Sequence, residues 1–387
     1  MNTFLIIVAS GKGLRLDMQL PKQFIMVNNK TVLEHTLEKF TPLTRFKKVI
    51  ITLPPDVLAP ENSNYADLKE RLLEKNITLI PGGKERFDSV YNALSLLQKN
   101  ACNEDFVFIH DGVRPFVSKS LLEALFSKIP ENNGIIPLIP LTDTIKEIRE
   151  GAVARTLDRS ILRGAQTPQV FNYEKIFNAY LSAKKELFMG TDDASIFEHF
   201  GNKVIFIKGC NDNIKITTPH DLEILKRTFA KTRIGHGYDV HRLSEDRALI
   251  LCGETIPHTH GLLGHSDADV PVHALMDALL GAAALGDIGE HFPDTEPQFK
   301  NASSLVLLKQ VYNLLRNKGY KINNIDLTIV AEKPRLQKYK EKMKENISSV
   351  LDIQKESINI KATTTEGLGF EGQCLGISAH AVTVIES

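Results

Sequence analysis

Apolar residues in the first 230 positions fall into short runs separated by amphipathic stretches. Phe4–Ala9, Lys48–Leu53, Phe106–His110, Gly134–Pro140 and Lys203–Lys208 read as strands. Val32–Phe40, Tyr65–Leu73, Asp88–Leu97 and Lys119–Phe126 repeat apolar residues at helical spacing. This alternation predicts an α/β fold: a Rossmann-like, mostly parallel sheet with helices on both faces. In such sheets ligands bind beyond the carboxyl ends of the strands. Ser10–Arg15 and Asp111–Pro115 are therefore expected to face one crevice. Thr217-Thr218-Pro219 opens a last helix, Leu222–Phe229, with threonine available as a cap and proline suited to the first turn.

The pattern changes after Ala230-Lys231-Thr232. Strands are expected near Ala248–Cys252, Ile325–Ala331, Ser357–Ala362 and Ile377–Ile385. Helical patterns cover Val270–Leu285, Ser303–Asn317 and Leu336–Leu351. That predicts an α+β domain whose sheet is covered by helices on one face, and domains at 1–230 and 231–387. A chain of 387 residues is long for one core. Its 42% apolar and 24% charged content is that of a globular protein. No apolar run reaches the roughly 20 residues of a membrane span. The opening MNTFLIIVASGKG has no basic stretch before its apolar run and no cleavage site, so no secretory signal is expected.

Lys+Arg and Asp+Glu both number 47, which argues against broad nucleic-acid binding but leaves room for local phosphate sites. Cys102, Cys210, Cys252 and Cys374 form no CxxC. Neither a disulfide framework nor a cysteine-zinc site is expected, and a cytoplasmic location fits. Eight of the 12 histidines lie after residue 230, the first sign of two different chemistries.

Gly11-Lys12-Gly13-Leu14-Arg15 follows the first strand and leads to Pro21-Lys22-Gln23. Two glycines let backbone N–H groups approach a phosphate, and Arg15 and Lys22 add positive charge. Leu16 stands where a dinucleotide fingerprint needs glycine, and no Walker motif is present. Alone, the turn is equally an ordinary tight turn. Pro81-Gly82-Gly83 is a second glycine turn entering a helix that carries Ser89. His110-Asp111-Gly112 ends a buried strand with a carboxylate, a natural Mg²⁺ ligand or simply a helix cap. Asp212–Thr217 places Lys215 after another strand.

SGKGLR with PKQ, PGGKERFDSV, HDGVRP, DTIK, RGAQTPQVF, TDDAS and NDNIKIT occur in an order that resembles the 2-C-methyl-D-erythritol 4-phosphate cytidylyltransferase family over about residues 3–225. Ala-Ser-Gly and Gly112-Val113 replace the family's more frequent Ala-Ala-Gly and Ala-Ala. The resemblance implies a nucleotidyltransferase sheet with CTP on the Gly11–Gly13 turn and Gly82, Asp88 and Ser89 near base and ribose. It implies Mg²⁺ on Asp111 and transition-state stabilisation by Arg15 and Lys22. Thr144, Arg159, Thr167, Arg114 and Lys215 would hold the methylerythritol phosphate, with Arg159 and Lys215 also counted as catalytic and Thr144 and Arg159 supplied by a partner subunit.

Downstream, Asp239 and His241 stand two apart, on one face if extended. His265-Ser266-Asp267-Ala268-Asp269 follows a glycine turn, and His273 falls on the first turns of a helix. Two histidines and a carboxylate suit a catalytic Zn²⁺, although spacing alone does not select which three bind. Asp269, four residues before His273, is placed to orient it. Asp287 and Asp294 lie in a glycine- and proline-rich loop that suits a ribose, a metal or an ordinary helix stop. Thr363, Thr364 and Glu366 end a strand before glycines and Phe370, where hydroxyls can cradle phosphate.

RIGHGYDVHRL, LLGHSDADVPVHALMDALLGAAALGDIGEHFPDT, TIVAEKPRL and IKATTTEGLGFEG closely resemble the 2-C-methyl-D-erythritol 2,4-cyclodiphosphate synthase family from about Thr232 to the end. That implies Zn²⁺ on Asp239, His241 and His273, and Mg²⁺ or Mn²⁺ near Glu366. It implies His265 and Thr364 at the transition state, Asp287 and Gly289 on ribose, and Ala331–Leu336 on cytosine. Ser266, Asp294 and Lys300 would line the mobile side of the site. Gln373 replaces the family's usual arginine three residues after Phe370.

Together the two resemblances imply a bifunctional enzyme of non-mevalonate isoprenoid synthesis. One half would form a CDP-alcohol and pyrophosphate; the other would cyclise a later, phosphorylated form and release CMP. Dimerising first domains and trimerising second domains are implied, compatible with a hexamer, as is association with the intervening kinase. The rival readings are a sugar-1-phosphate nucleotidyltransferase fused to a zinc hydrolase, and a non-catalytic metal-binding module.

Overall fold

The computed structural model describes residues 1–11, 20–40, 45–60, 62–75, 77–293, 295, 296, 299 and 302–387. Strand β1 (Thr3–Val8) is buried on both faces for almost its whole length, which is why TFLIIV runs apolar without alternation. It pairs in parallel with β2 (Phe46–Leu53), which pairs in parallel with β3 (Thr78–Pro81). On its other side it pairs in parallel with β4 (Phe106–Asp111). After β5 (Gly134–Pro140), a separate ribbon of β6 (Lys146–Arg149) and β7 (Ala152–Thr156) intervenes. The chain returns as β8 (Arg163–Ala165), β9 (Gln169–Asn172) and β10 (Ile205–Lys208). The sheet order is β8-β5-β9-β4-β1-β2-β3, with β10 against β5. Strand β9 runs antiparallel between β4 and β5, and β8 antiparallel to β5, so the sheet is parallel around β1 and mixed beyond β4.

Alternate residues of β1 feed two cores. Leu5 and Ile7 pack with Leu33 and Leu37 of α1 (Val32–Glu38), and with Leu121 and Leu125 of a later helix on the same face. Phe4 and Ile6 pack on the other face with Val90 and Leu94 of α2 (Arg86–Leu97). The helix carrying Leu121 is α3 (Lys119–Lys128), capped by the Ser118 hydroxyl. The second core also takes Tyr180 of α4 (Tyr173–Glu186) and Phe197 of α5 (Asp193–His199). Helix α6 (Pro219–Phe229) starts three residues earlier than its apolar pattern, with Pro219 in its first turn and the Thr218 hydroxyl accepting from Asp221 N–H.

Val8 pairs with Asp111 and Thr52, and Thr52 pairs with Ile80, so four parallel strands end in one row. That register brings the loops after β1, β3 and β4 to the same edge.

The chain divides into two units, Met1–Phe229 and Ala230–Ser387. The second contains β11 (Thr232–Ser244), β12 (Gly261–Leu262), β13 (Lys321–Val330), β14 (Ile358–Thr363) and β15 (Gly376–Glu386). Their order is β12-β11-β15-β13-β14. Helices α7 (Val270–Ala283), α8 (Ser304–Asn317) and α9 (Lys340–Leu351) share one apolar core with the sheet. The other face of β11 stays open, with Ile234 71% and Tyr238 44% exposed.

The position of β11 follows from two glycines. A side chain at Gly235 or Gly237 would overlap the carbonyl oxygens of Ala278 and Ala274 on α7. With glycine on the strand and alanine on the helix, the two backbones lie against each other. Odd-numbered residues of β11 face α7, and the next two, Asp239 and His241, continue that face.

All four cysteines are free, and among the described residues no helix is long and apolar enough to cross a membrane.

Candidate active sites

In the first unit the chemistry gathers where β1, β3 and β4 end. Gly82 lies so close to Ser10 that any side chain there would collide with it. Ser89 is fully buried; its hydroxyl shares a 2.7 Å hydrogen bond with that of Ser10 and accepts from Gly83 N–H at 3.0 Å. Gln23 fixes the loop after β1 by donating to the carbonyls of Ala9 and Gly11, both at 2.8 Å. Lys22 precedes it in the short 3-10 turn Lys22–Phe24. Asp88 completes the cap of α2 by accepting from Glu85 N–H at 3.0 Å. Gly13 and Arg15 lie outside the described residues, as do Asp294 and Lys300 of the second unit.

Asp111 sits at the centre of a cationic cluster. Lys215 Nζ is 3.0 Å from its Oδ2, Arg114 Nε 3.3 Å from the same oxygen, and Arg86 Nε 3.3 Å from Oδ1. Burial works to raise the Asp111 carboxyl, but the charges of Arg86, Lys215 and Arg114 outweigh it and hold the group far below the usual carboxylate range. Arg86 also grips fully buried Asp193 through two 2.8 Å bonds, and Tyr180 donates to the same carboxylate at 2.6 Å. Sequence reasoning missed Arg86 and Asp193. Both lie inside the quoted motifs, but 107 residues apart.

Thr167 ties the cluster to the strand. Its hydroxyl accepts from Asp111 N–H at 3.2 Å and lies 2.9 Å from His110 Nδ1. His110 Nε2 faces the Arg114 carbonyl at 3.1 Å, so Nε2 carries the proton of the neutral ring. Burial pushes His110 down to about 4. Arg114 is held in turn by the Asn213 carbonyl at 2.8 Å. Thr144 and Arg159 are exposed; the Arg159 guanidinium donates to the Thr142 carbonyl and has no described bond to the Asp111 cluster.

In the second unit Asp239, His241 and His273 bring one ligand atom each to within 4.8 Å of one another. His241 Nδ1 donates to the Leu263 carbonyl at 2.8 Å, which leaves the Nε2 lone pair of a neutral ring facing Asp239 Oδ2 at 3.2 Å. His273 Nε2 lies 3.0 Å from Ser304 Oγ, whose own proton goes to Asp267. The His273 Nε2–H is therefore the donor, and Nδ1 offers its lone pair to Asp239 Oδ2 at 3.0 Å. Three electron-rich atoms converge where only a proton or a metal ion satisfies them, so the donor set fits a borderline metal such as Zn²⁺. Burial works to raise Asp239, but its bonds to His241 and His273 hold it below its usual range, and the bond to Asp239 raises His241.

The Ser304–Asp267 pair takes the role expected of Asp269. Asp269 instead caps α7 and accepts the N–H groups of Cys252 and Gly253 at 2.8 and 2.6 Å. A cavity of about 420 Å³ opens beside the three ligands, lined also by His265, Ser266, Gly289, Phe292 and Met276. Asp287 caps the short helix Ile288–His291 through Glu290 N–H at 3.0 Å.

Thr363, Thr364, Glu366 and Phe370 are exposed and lie outside this cavity. Ala331 and Leu336 are buried beside the same end of the sheet, with Ala331 N–H donating to the Thr363 carbonyl at 3.0 Å. Val240 pairs with Ser378, Ser378 with Val330 and Val330 with Thr363. Three strand spacings of ~4.8 Å put Thr363 about 14 Å from the metal ligands' strand. Within one chain, the two halves of the expected site do not meet.

A profile of the 2-C-methyl-D-erythritol 4-phosphate cytidylyltransferase family matches residues 3–229, and one of the YgbB family matches residues 232–386. The bifunctional enzyme IspD/IspF of Desulforudis audaxviator is 40% identical over 99% of this chain and 97% of its own length. The chain belongs to the bifunctional IspD/IspF family. The Rhodospirillum rubrum member is 39% identical over 98% of this chain and 97% of its own. The solved structure of IspDF from Campylobacter jejuni is 34% identical, covers 100% of this chain and 98% of its own, and superposes with a TM-score of 0.49. A solved 2C-methyl-D-erythritol-2,4-cyclodiphosphate synthase with bound CDP is 38% identical over 40% of this chain and 99% of its own, at a TM-score of 0.37. The chain is thus a bifunctional IspD/IspF enzyme of the non-mevalonate isoprenoid pathway, both cytidylyltransferase and cyclodiphosphate synthase, and the rival readings fall away. IspD/IspF enzymes use divalent metal ions.

Proposed function

We propose that residues 1–230 join CTP to 2-C-methyl-D-erythritol 4-phosphate around Asp111, and that residues 231–387 cyclise 4-diphosphocytidyl-2-C-methyl-D-erythritol 2-phosphate around Asp239, His241 and His273. The convergence of those three ligands on one point beside a cavity carries the second assignment. The register that gathers the β1, β3 and β4 loops at Asp111 supports the first.

In the transferase the attacking oxygen belongs to a phosphate that is ionised near pH 7, so no general base is required. The chain's task is alignment and charge neutralisation. Lys22, with Arg15, is assigned to the α-phosphate; Arg114, Thr167 and Lys215 are assigned to the methylerythritol phosphate. Asp111 is already matched by three cations, so a divalent ion such as Mg²⁺ fits there only together with the triphosphate, whose negative charge takes over those cations. Exposed Ile148, Val153 and Ile161 lie on the excursion that carries Thr144 and Arg159. They support a dimer in which that excursion reaches the partner's site.

In the synthase an oxygen of the 2-phosphate bonds to the β-phosphorus while the bond from that phosphorus to CMP breaks. Zn²⁺ on the three ligands would supply Lewis-acid charge to the diphosphate. His265 and Ser266 line its approach, and Phe292 and Met276 keep the cavity apolar and exclude water. Glu366 belongs to no cluster of three or more metal-binding side chains among the described residues, so Mg²⁺ or Mn²⁺ fits there only with the diphosphate. The separation of Thr363–Glu366 from the metal ligands supports a site completed by an adjacent copy, as in a trimer.

The test is direct. Each substrate is supplied separately to the pure protein, and pyrophosphate and CMP are measured. Asp111→Asn should abolish pyrophosphate release alone and Asp239→Asn CMP release alone; loss of both products in either variant would sink the division of labour.

A further inference from the structure

Gln166, one residue before Thr167, is 3% exposed, and its side-chain amide is committed to the loop that follows β10. Nε2 donates to the Cys210 carbonyl at 2.8 Å and to the Asn213 carbonyl at 3.2 Å, and Oε1 accepts from Cys210 N–H at 3.1 Å. The backbone of this loop last meets the sheet at Gly209, whose N–H donates to the Leu138 carbonyl at 2.8 Å. One residue further on, the Gln166 amide stands in for a neighbouring strand, meeting both backbone groups of Cys210. Gly209 permits the approach, since a side-chain carbon there would lie 2.6 Å from Gln166 Oε1. Asn213, fully buried, adds a bond in the other direction by donating from Nδ2 to the Thr167 carbonyl at 2.8 Å.

The loop fixed in this way carries two of the three cations around Asp111, one directly and one by a hydrogen bond. Lys215 follows Asn213 by two residues and reaches Asp111 Oδ2 at 3.0 Å. The Asn213 carbonyl that accepts from Gln166 also accepts from Arg114 Nη1 at 2.8 Å. Downstream, Ile216 N–H donates to the Val113 carbonyl at 2.9 Å, so the backbone of Lys215 is tethered on both sides. We infer that Gln166 is a positioning residue of the transferase, acting through Lys215 and Arg114 to set where the acceptor phosphate sits. This rests on the reading that those two side chains hold the methylerythritol phosphate. Without the amide, Cys210 loses a partner for both its backbone groups and the Asn213 carbonyl loses one of its two donors. The upstream tether is then gone, and a displacement of about 1 Å at a binding cation is costly in alignment. The loops after β1 and β3, to which CTP is assigned, make no bond to Gln166 among the described residues.

Steady-state pyrophosphate release by the full-length protein, with each substrate varied in turn, tests it. Gln166→Leu should raise KM for 2-C-methyl-D-erythritol 4-phosphate roughly tenfold and leave KM for CTP within about twofold. Lys215→Ala should raise the same constant at least as far. Leu125→Val, which loosens the core beneath β1, should lower the melting temperature without separating the two constants. If Lys215→Ala leaves KM for the acceptor unchanged, the assignment of that phosphate to Lys215 falls and this inference with it. If Lys215→Ala raises it and Gln166→Leu does not, this inference alone falls. An equal rise in both constants, or the same selective rise in Leu125→Val, means that Gln166 only stabilises the fold and also overturns it. Gln166→Asn, whose shorter amide cannot span Cys210 and Asn213 together, replaces Gln166→Leu if that variant fails to fold, with the same selective rise expected.

Discussion

Ser304 is fully buried and makes two bonds that together decide which nitrogen of His273 is free for a metal. Its hydroxyl proton is committed to Asp267, so it can only accept from His273. Ser304→Ala should weaken zinc binding by roughly 10- to 100-fold, whereas Ser304→Thr retains most of it. Chelator competition measures this, and wild-type affinity in Ser304→Ala would remove Ser304 from the positioning role. His110 makes a different prediction. Its folded pKa of about 4 lies below the ordinary 6.5, so the unfolded chain takes up the proton first as pH falls. Its contribution is therefore full above pH 6.5 and is lost progressively down to pH 4. The loss between pH 7 and pH 5 is about 2 kcal/mol, and His110→Gln should flatten that part of the denaturation profile. That Asp239 and His241 share a face was legible in the sequence, because an extended i, i+2 spacing puts both side chains on one side. The Asp267–Ser304 pair was not, because 37 residues separate its members and nothing local marks them as neighbours.

At the scale of elements, β11 and α7 form the part of the fold that most directly makes a site. Gly237→Ala would drive a methyl into the Ala274 carbonyl, push the strand off the helix and move Asp239 away from His273. The expected cost is ~1–3 kcal/mol together with weakened metal binding. Gly281→Ala, on the same helix with no atom near the added carbon, should instead stabilise by ~0.5–1 kcal/mol. Thermal melts of the two variants separate the effects, and equal shifts would deny the close packing. The alternation of β1, β2, β4 and their helices was readable because the buried stretches of these parallel strands are nearly continuous apolar runs. The β6–β7 ribbon was not, because both its faces are largely exposed and no hydrophobic period marks it. The thirteen residues of β11 were readable only in part, since glycines and histidines replace the usual β-branched run.

For the molecule as a whole, the row Val240–Ser378–Val330–Thr363 carries the main consequence. If two copies complete each synthase site, an Asp239→Asn chain and a Thr364→Ala chain are each inactive alone. Co-folded together they should regain a measurable fraction of CMP release, because some sites would draw intact ligands from one copy and intact hydroxyls from the other. Activity no higher than the sum of the separate variants would mean that one chain suffices. The same ~14 Å gap has a physiological side. An isolated polypeptide emerging from the ribosome would hold half of a synthase site, so its turnover per molecule should climb with abundance until neighbours are in place. Gene dosage, and not folding alone, would then decide when isoprenoid flux begins.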